Sequence, residues 1–304
     1  MNIEYMKMEF ENFLQPEQIV IHAPMKKHTS FKAGGDADFL LTPETEKQIG
    51  HIIEVCKRNN VSYYIMGNGS NLLVRDGGYR GVIIKLASNF SKCVLLGETL
   101  ECQSGVLLSR LAKIAYENEL EGLAFASGIP GTLGGAITMN AGAYGGEIKD
   151  VLHSARGIDM DGNIHELVNG ELELGYRTSA VQRKNLVVLS GVLHLKQGNK
   201  KSIKVMMDDF DARRKSKQPL ELPSAGSTFK RPVGHFAGKL IEDCHLKGHA
   251  IGGAQVSTKH CGFIVNIGQA TAKDILQLIE HVQETVKDTF QVEMETEVKI
   301  IGED

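Results

Sequence analysis

The chain has 304 residues, 42% of them hydrophobic and 23% charged, which is ordinary for a globular protein long enough for two or three cores. Its formal net charge of −3 lacks the basic excess expected of a nucleic-acid-binding protein. Five cysteines without a Cys-x-x-Cys pair and eleven histidines without a His-Glu-x-x-His pattern indicate neither a disulfide framework nor a metal site.

In chain order, Met1 to Phe10 carries acidic residues where a signal peptide would have an apolar core, and no apolar run approaches a membrane span. The expected location is the cytoplasm. Ile49, Ile52, Ile53 and Cys56 recur at helical spacing after Pro43, so a helix should lead into a strand at Tyr63 to Met66. That strand ends in a glycine-punctuated turn, Gly67, Asn68, Gly69, Ser70, Asn71 and Leu72. Glycines accept backbone angles closed to other residues, and successive main-chain N–H groups in such a turn form an anion-binding concavity. A dinucleotide fingerprint would need Gly where Leu72 stands, and a P-loop would need Gly-Lys-Ser/Thr, so the turn is either another kind of phosphate cradle or a surface loop.

Gly81 to Leu86 reads as a buried strand, and Leu108, Leu111, Ala112 and Ala115 form one helix face. A second glycine-rich segment, Ala126 to Gly145, follows. Two such segments suggest close approach of backbone to a flat or phosphorylated group at two places, as an extended dinucleotide would require. Asn185 to Leu195 reads as a strand. Ile203, Met206, Met207 and Phe210 mark a helix ending in the basic run Arg213 to Lys217, with Lys200, Lys201 and Lys204 solvated at its start. A short helical pattern passes through Leu240 and Ile241, and a glycine turn lies at Gly252 and Gly253. Thr271 begins a long helix with Ile275, Leu278, Ile279, Val282 and Val286 inward. From Val292 to Ile300 apolar residues alternate with charged ones, as in a final strand. Mixed α and β is the class.

Gly67 to Leu72 and Gly128 to Gly135 together resemble the flavin-binding half of the UDP-N-acetylenolpyruvoylglucosamine reductase family. Thr29 to Gly35, Gly175 to Ser179, Pro223 to Pro232, Gly252 to Val256, Lys259 to Asn266 and Glu295 to Val298 fall in that family's order, so the resemblance covers about Thr29 to Gly302. It implies an α+β chain: an FAD-binding fold of the p-cresol methylhydroxylase/vanillyl-alcohol oxidase type with a separate C-terminal substrate-binding domain. The implied divisions are 1–86 plus 291–304, 87–215 and 216–290. It further implies noncovalent FAD, NADPH as co-substrate, and reduction of the enolpyruvyl group of UDP-N-acetylenolpyruvoylglucosamine in peptidoglycan precursor synthesis. No nucleic-acid partner, membrane insertion or obligate protein partner is expected.

Carried over residue by residue, the cofactor positions are Lys32, Gly67, Asn68, Gly69, Ser70, Asn71, Leu72, Ser127, Gly128, Ile129, Gly131, Thr132, Gly134, Gly135, Asn140 and Arg214. Tyr144, Lys217 and Lys230 match substrate contacts. Arg177, Ser227 and Glu297 match the catalytic positions. Hydride delivery to the enolpyruvyl terminal carbon leaves negative charge conjugated into a carboxylate, so a cation must stabilise it and an acid must protonate the adjacent carbon. A planar guanidinium suits the first task, and a serine hydroxyl, a weak acid, suits only a strongly basic acceptor such as a carbon-centred enolate. Without the resemblance, Arg177 reads as a surface ion pair, Ser227 as a turn serine and Glu297 as part of a wet edge strand.

The segment Gly145 to Gly175 is too short for the extra tyrosine-bearing loop of part of the family, which implies the subclass lacking it. Arg231 stands where some members have Asn. A related FAD-dependent oxidase of a hydroxylated substrate, or a non-catalytic nucleotide-sugar sensor, are the competing classes.

Overall fold

The computed structural model describes all 304 residues, Met1 to Asp304. They form two compact units: Met1–Ile21, Phe39–Asn68 and Gly81–Arg214 make the first, and His22–Asp38, Gly69–Arg80 and Lys215–Asp304 the second.

The first unit opens with helix α1 (Ile3–Glu11), which the sequence pattern did not reveal; Asn2 caps it by accepting the Tyr5 N–H. Met6 and Phe10 of α1 enter one core with Phe39 and with Ile49, Ile52, Ile53 and Cys56 of helix α2 (Glu46–Arg58). Thr45 and Gln48 exchange side-chain-to-backbone bonds at the start of α2, satisfying N–H groups that a helix end leaves open. Strand Tyr63–Met66 runs parallel to Tyr79–Lys85, with Ile65 opposite Ile84, in a four-stranded sheet completed by Asp36–Leu41 and Ile19–Pro24.

A five-stranded antiparallel sheet makes the rest of this unit, in the order Ile164–Val168, Leu152–Ile158, Val187–His194, Thr99–Gln103, Cys93–Leu96. Helices α3 (Leu108–Glu117) and α4 (Leu133–Met139) share its core. A Cβ at Gly191 would lie 2.8 Å from Ile137 Cδ1, so the glycine lets the Ile137 side chain of α4 pack directly on the central strand. After the single turn α5 (Ala180–Arg183) and strand Val187–His194 comes α6 (Lys200–Lys217). On α6 only Ile203 is fully buried. Met207 and Phe210 pack partly against the core, whereas Met206, assigned to the same face from its spacing, is exposed.

The second unit is organised by helices α7 (Ala237–Asp243) and α8 (Ala272–Phe290) with an antiparallel sheet of Ala250–Ile251, Ala254–Val256 and Ile264–Asn266. Thr271 and Asp274 form the capping box of α8. The Asp76 carboxylate adds bonds from the Ala272 and Lys273 N–H groups, both at 2.8 Å, where an anion is favoured. Buried Ile275, Leu278, Ile279, Val282 and Val286 form the inward face that the spacing predicts.

The expected strand from Val292 to Ile300 is much shorter, Lys299–Ile301, parallel to Leu72–Val74. Side chains still alternate, with Met294 and Val298 buried and Glu293, Glu295 and Lys299 exposed. The ladder breaks because backbone partners change along the segment: the Glu297 N–H donates to Thr228, and the Lys299 N–H donates to Asn71. No helix of the protein is long and apolar enough to cross a membrane.

Candidate active site

In the first unit, strand Tyr63–Met66 delivers Gly67 to a place with no room for a side chain. A Cβ there would fall 2.2 Å from Thr132 Oγ1, and the neighbouring Asn68 amide donates to the Pro130 carbonyl at 3.0 Å. The beginning of the first glycine loop therefore meets the second directly. That second loop is anchored from beneath, with the Leu133 N–H donating to Val106 and the Gly134 N–H to Ser104, each at 2.8 Å. Gly134 faces the Ser104 side chain too closely for any Cβ, and the buried Ser104 hydroxyl has no hydrogen-bond partner. Ser127 spends its hydroxyl on the Ala124 carbonyl at 2.9 Å, and Gly131 accepts the Leu108 N–H at 3.0 Å, so both stiffen the loop. Ile129 is partly buried, and Gly135 is exposed.

Gly128 makes space for Arg214 of α6; a Cβ would lie 3.0 Å from its guanidinium. Burial lowers the Arg214 pKa from its usual value, yet a guanidinium keeps its charge at neutral pH. One turn earlier on α6, Phe210 stacks on Tyr144 with centroids 4.6 Å apart and planes 10° from parallel. Sequence reasoning missed Phe210 as a site residue, although its position four residues before Arg214 puts both on one helix face.

Asn140 ends α4 in the left-handed conformation, φ +42°, and is buried. Its amide donates to Glu147 at 2.9 Å and to the Gly175 carbonyl at 3.1 Å, while its oxygen accepts the Lys149 N–H at 3.0 Å. Both amide donors are thus committed within the protein. Gly175 bridges Thr178 around Tyr176 and Arg177, and Arg177 sits at φ +55° with its guanidinium 5.0 Å from the Tyr176 ring centroid. The Lys149 ammonium chiefly, with Asn140 and Arg177, holds the Glu147 carboxyl below its ordinary value. Glu147 carried no sequence signal as a site residue, since its partners come from the folded loop.

In the second unit, Gly69 adopts φ +66°, a conformation natural to glycine, and its carbonyl accepts from the Ser30 N–H at 3.1 Å and hydroxyl at 3.3 Å. Gly69, Ser70 and Asn71 leave their N–H groups without acceptors in the protein. Lys32 is exposed at φ +54°. Leu72, expected at the cofactor, starts strand Leu72–Val74 with a buried side chain, so only its main chain is available there.

Asn71 also reaches the C-terminal segment: its amide donates to the Glu297 carbonyl at 3.1 Å. From the other side, the Thr228 carbonyl accepts the Glu297 N–H at 2.8 Å. Thr228 is itself fixed, donating its N–H to Gly262 at 2.8 Å and accepting the Ile264 N–H on its hydroxyl at 3.0 Å. Half-buried Glu297 is therefore clamped beside the turn bearing Ser227. Ser227 is exposed, and its hydroxyl makes no hydrogen bond within the protein. Lys230 is paired with Glu295 at 2.7 Å, which holds the Glu295 carboxyl below its ordinary value; Lys217 is exposed at the end of α6.

These features fit an elongated anionic dinucleotide such as FAD. In the first unit, main chain left bare by Gly67 and Gly128 lies with the half-buried Arg214 guanidinium; in the second, taken by itself, Gly69 to Asn71 offer open N–H groups.

Comparison with known proteins agrees. An FAD binding domain model matches residues 37–168, and a model of the UDP-N-acetylenolpyruvoylglucosamine reductase C-terminal domain matches residues 218–301. The chain is 52% identical over 304 residues to a UDP-N-acetylenolpyruvoylglucosamine reductase of Clostridioides difficile (strain 630), covering 100% of both chains. It is 53% identical to one of Clostridium perfringens (strain SM101 / Type A), covering 99% of both. The solved UDP-N-acetylenolpyruvylglucosamine reductase of Thermus caldophilus superposes with a TM-score of 0.80 at 36% identity, over 93% of this chain and 97% of that one. The fold is thus the α+β FAD-binding fold with its separate C-terminal domain, and the chain belongs to the UDP-N-acetylenolpyruvoylglucosamine reductase family.

Proposed function

We propose that this protein reduces the enolpyruvyl group of UDP-N-acetylenolpyruvoylglucosamine to the lactyl ether of UDP-N-acetylmuramate, using NADPH, in the cytoplasmic synthesis of peptidoglycan precursors. The observation that carries this reading is the clamp around Glu297, in which Thr228 and Asn71 hold its backbone beside the Ser227 turn. Bound noncovalently, FAD would supply the hydride chemistry that links NADPH to the enolpyruvyl carbon. Its holders are the main chain of Gly67 to Leu72 and of Ser127 to Gly135, with Lys32 and Arg214 meeting phosphate charge. Asn140 serves this set indirectly, since both of its amide donors are already committed.

Arg177 grips the substrate carboxylate and stabilises the charge that develops there. The Ser227 hydroxyl gives its proton to the adjacent carbon. A hydroxyl with no protein acceptor is free to point its proton at substrate, and the basicity of a carbon-centred enolate compensates for its weak acidity. Glu297 orients or stabilises this protonation, and a carboxyl beside developing negative charge must be partly protonated or paired to do so. Tyr144, stiffened by Phe210, with Lys217 and Lys230 contacts the sugar nucleotide. Functionally, 1–86 plus 291–304 and 87–215 serve the flavin and 216–290 the substrate, in the subclass without the extra tyrosine loop.

The test is anaerobic. NADPH, and NADH in parallel, is added to the yellow holoenzyme, and bleached protein is then mixed with UDP-N-acetylenolpyruvoylglucosamine. Return of flavin colour with formation of UDP-N-acetylmuramate is the expected result. Bleached protein that regains colour only with oxygen would refute the assignment.

A further inference from the structure

Cys93 and Cys102, with no motif spacing between them, are brought together by a hairpin. Its strands meet at Gly97 and Glu98, so Leu96 pairs with Thr99 and Cys93 stands directly opposite Cys102. One residue outward, the Gln103 N–H donates to the Lys92 carbonyl at 2.8 Å. Hydrogen-bonded and non-hydrogen-bonded pairs alternate along an antiparallel ladder, which makes the two cysteines a non-hydrogen-bonded pair. Such pairs have Cα atoms about 4.5 Å apart, with side chains on one face. A disulfide spans Cα separations of about 4.4–6.8 Å, so the backbone need not move to form one.

The two thiols also differ in the way a reactive pair requires. Cys93 is half-exposed and Cys102 buried. The neighbouring Cys102 thiol chiefly, with the Arg110 charge acting in the same direction, favours the Cys93 thiolate. Arg110 is held there by its bond to the Ser91 carbonyl at 3.1 Å. The other cysteines lack this setting: burial pushes the Cys56 thiol up to about 12 and raises Cys261, while the Cys244 thiol faces the Thr285 carbonyl at 3.8 Å.

We propose that Cys93 and Cys102 are an intramolecular oxidation site, converted by a hydroperoxide into a cross-strand disulfide. The Cys93 thiolate attacks one peroxide oxygen and breaks the O–O bond; the other oxygen leaves as hydroxide and is protonated to water. The resulting sulfenic acid is attacked by the Cys102 sulfur, whose proton departs with the displaced hydroxide as a second water. Two thiols lose two electrons and the peroxide gains them. The bond staples the strand that leads into Ser104, whose carbonyl anchors Gly134 of the second glycine loop.

To test this, reduced holoenzyme is freed of reductant, treated with one equivalent of hydrogen peroxide and alkylated, and its peptides are mapped. The expected result is loss of two of the five thiols, with one linked peptide pair joining Cys93 to Cys102. Cys93→Ser and Cys102→Ser should each abolish that pair. Mapping of the native protein decides the matter should either variant fail to fold. Both cysteines recovered alkylated, Cys93 oxidised without its partner, or a linkage between chains would each overturn the proposal.

Discussion

A Cβ on Gly67 would stand 2.2 Å from the Thr132 hydroxyl oxygen, so within the first unit the start of the first glycine loop meets the second loop with no side chain between them. Gly67→Ala should force Thr132 aside, an overpacking that costs about 1–3 kcal/mol, and should deplete flavin from the purified protein. Gly69→Val should deplete it for a different reason, because a β-branched residue resists φ +66°. Flavin absorbance per protein chain is the readout. Full occupancy in both variants would remove the first loop from the cofactor site, and flavin that stays with acid-precipitated protein would contradict noncovalent binding.

Asn140 and Glu147 offer a test at the Arg177 loop. Asn140→Ala leaves the Lys149 N–H without its partner, leaves the Gly175 carbonyl only the longer bond from the Thr178 N–H at 3.4 Å, and places alanine at a left-handed position. A loss of about 2–4 kcal/mol in thermal or denaturant unfolding is expected. Where that variant folds, kcat per bound flavin should fall, since the damage reaches the loop presenting Arg177. Unchanged kcat with only a lower melting temperature would make Asn140 purely structural.

Acidification probes the same loop. The Glu147 carboxyl, held mainly by the Lys149 ammonium, has its folded pKa below the ordinary 4.5. Its contribution is fully present above that ordinary value and is lost as pH falls through the depressed one. Glu147→Gln should therefore lower stability modestly at neutral pH, with the difference from the wild type shrinking as pH falls below about 4.5 and vanishing in acid. Identical acid-unfolding curves for the two proteins would show that the ion pair contributes nothing measurable.

Lys230 is paired with Glu295 at 2.7 Å, so a substrate anion must compete for it. Glu295→Gln releases that ammonium and should lower KM for the sugar nucleotide. Lys230→Met should raise KM roughly tenfold while kcat stays nearly constant, the pattern of lost uniform binding. A fall in kcat alone for Lys230→Met would point away from ground-state substrate contact.

Helices α2 and α8 were legible because their apolar spacing is regular and each begins with a reciprocal cap, Thr45 with Gln48 and Thr271 with Asp274. Strands Leu152–Ile158 and Ile164–Val168 were not, since Arg156, Gly157 and His165 interrupt their apolar pattern and the first carries register shifts. The glycine loops announced themselves as places where backbone must come close. What each glycine approaches, Thr132 for Gly67 and Arg214 for Gly128, was not legible, because it depends on residues distant in sequence. The same holds for Glu295 on Lys230 and for the clamp of Glu297 between Thr228 and Asn71, which replaces the regular strand that alternation suggested.

Replacing Arg177 or Glu297 separates charge from geometry. Arg177→Lys retains the cation but loses the two-pronged grip on a carboxylate, and should slow substrate reduction while leaving flavin reduction by NADPH near the wild-type rate. Glu297→Gln keeps size and hydrogen bonding but cannot pass a proton. Slow reoxidation with intact flavin content would put Glu297 in the chemistry, and normal reoxidation would restrict it to the backbone clamp.

The assignment of Ser227 as proton donor is tested most directly by stopped-flow measurement of the two half-reactions in Ser227→Ala. Its hydroxyl supports no other part of the protein, so NADPH should bleach the flavin at a near wild-type rate. Reoxidation by UDP-N-acetylenolpyruvoylglucosamine should slow by about 10²- to 10⁴-fold, the usual worth of a positioned acid. Equal losses in both half-reactions, or reoxidation at the wild-type rate, would contradict the assignment.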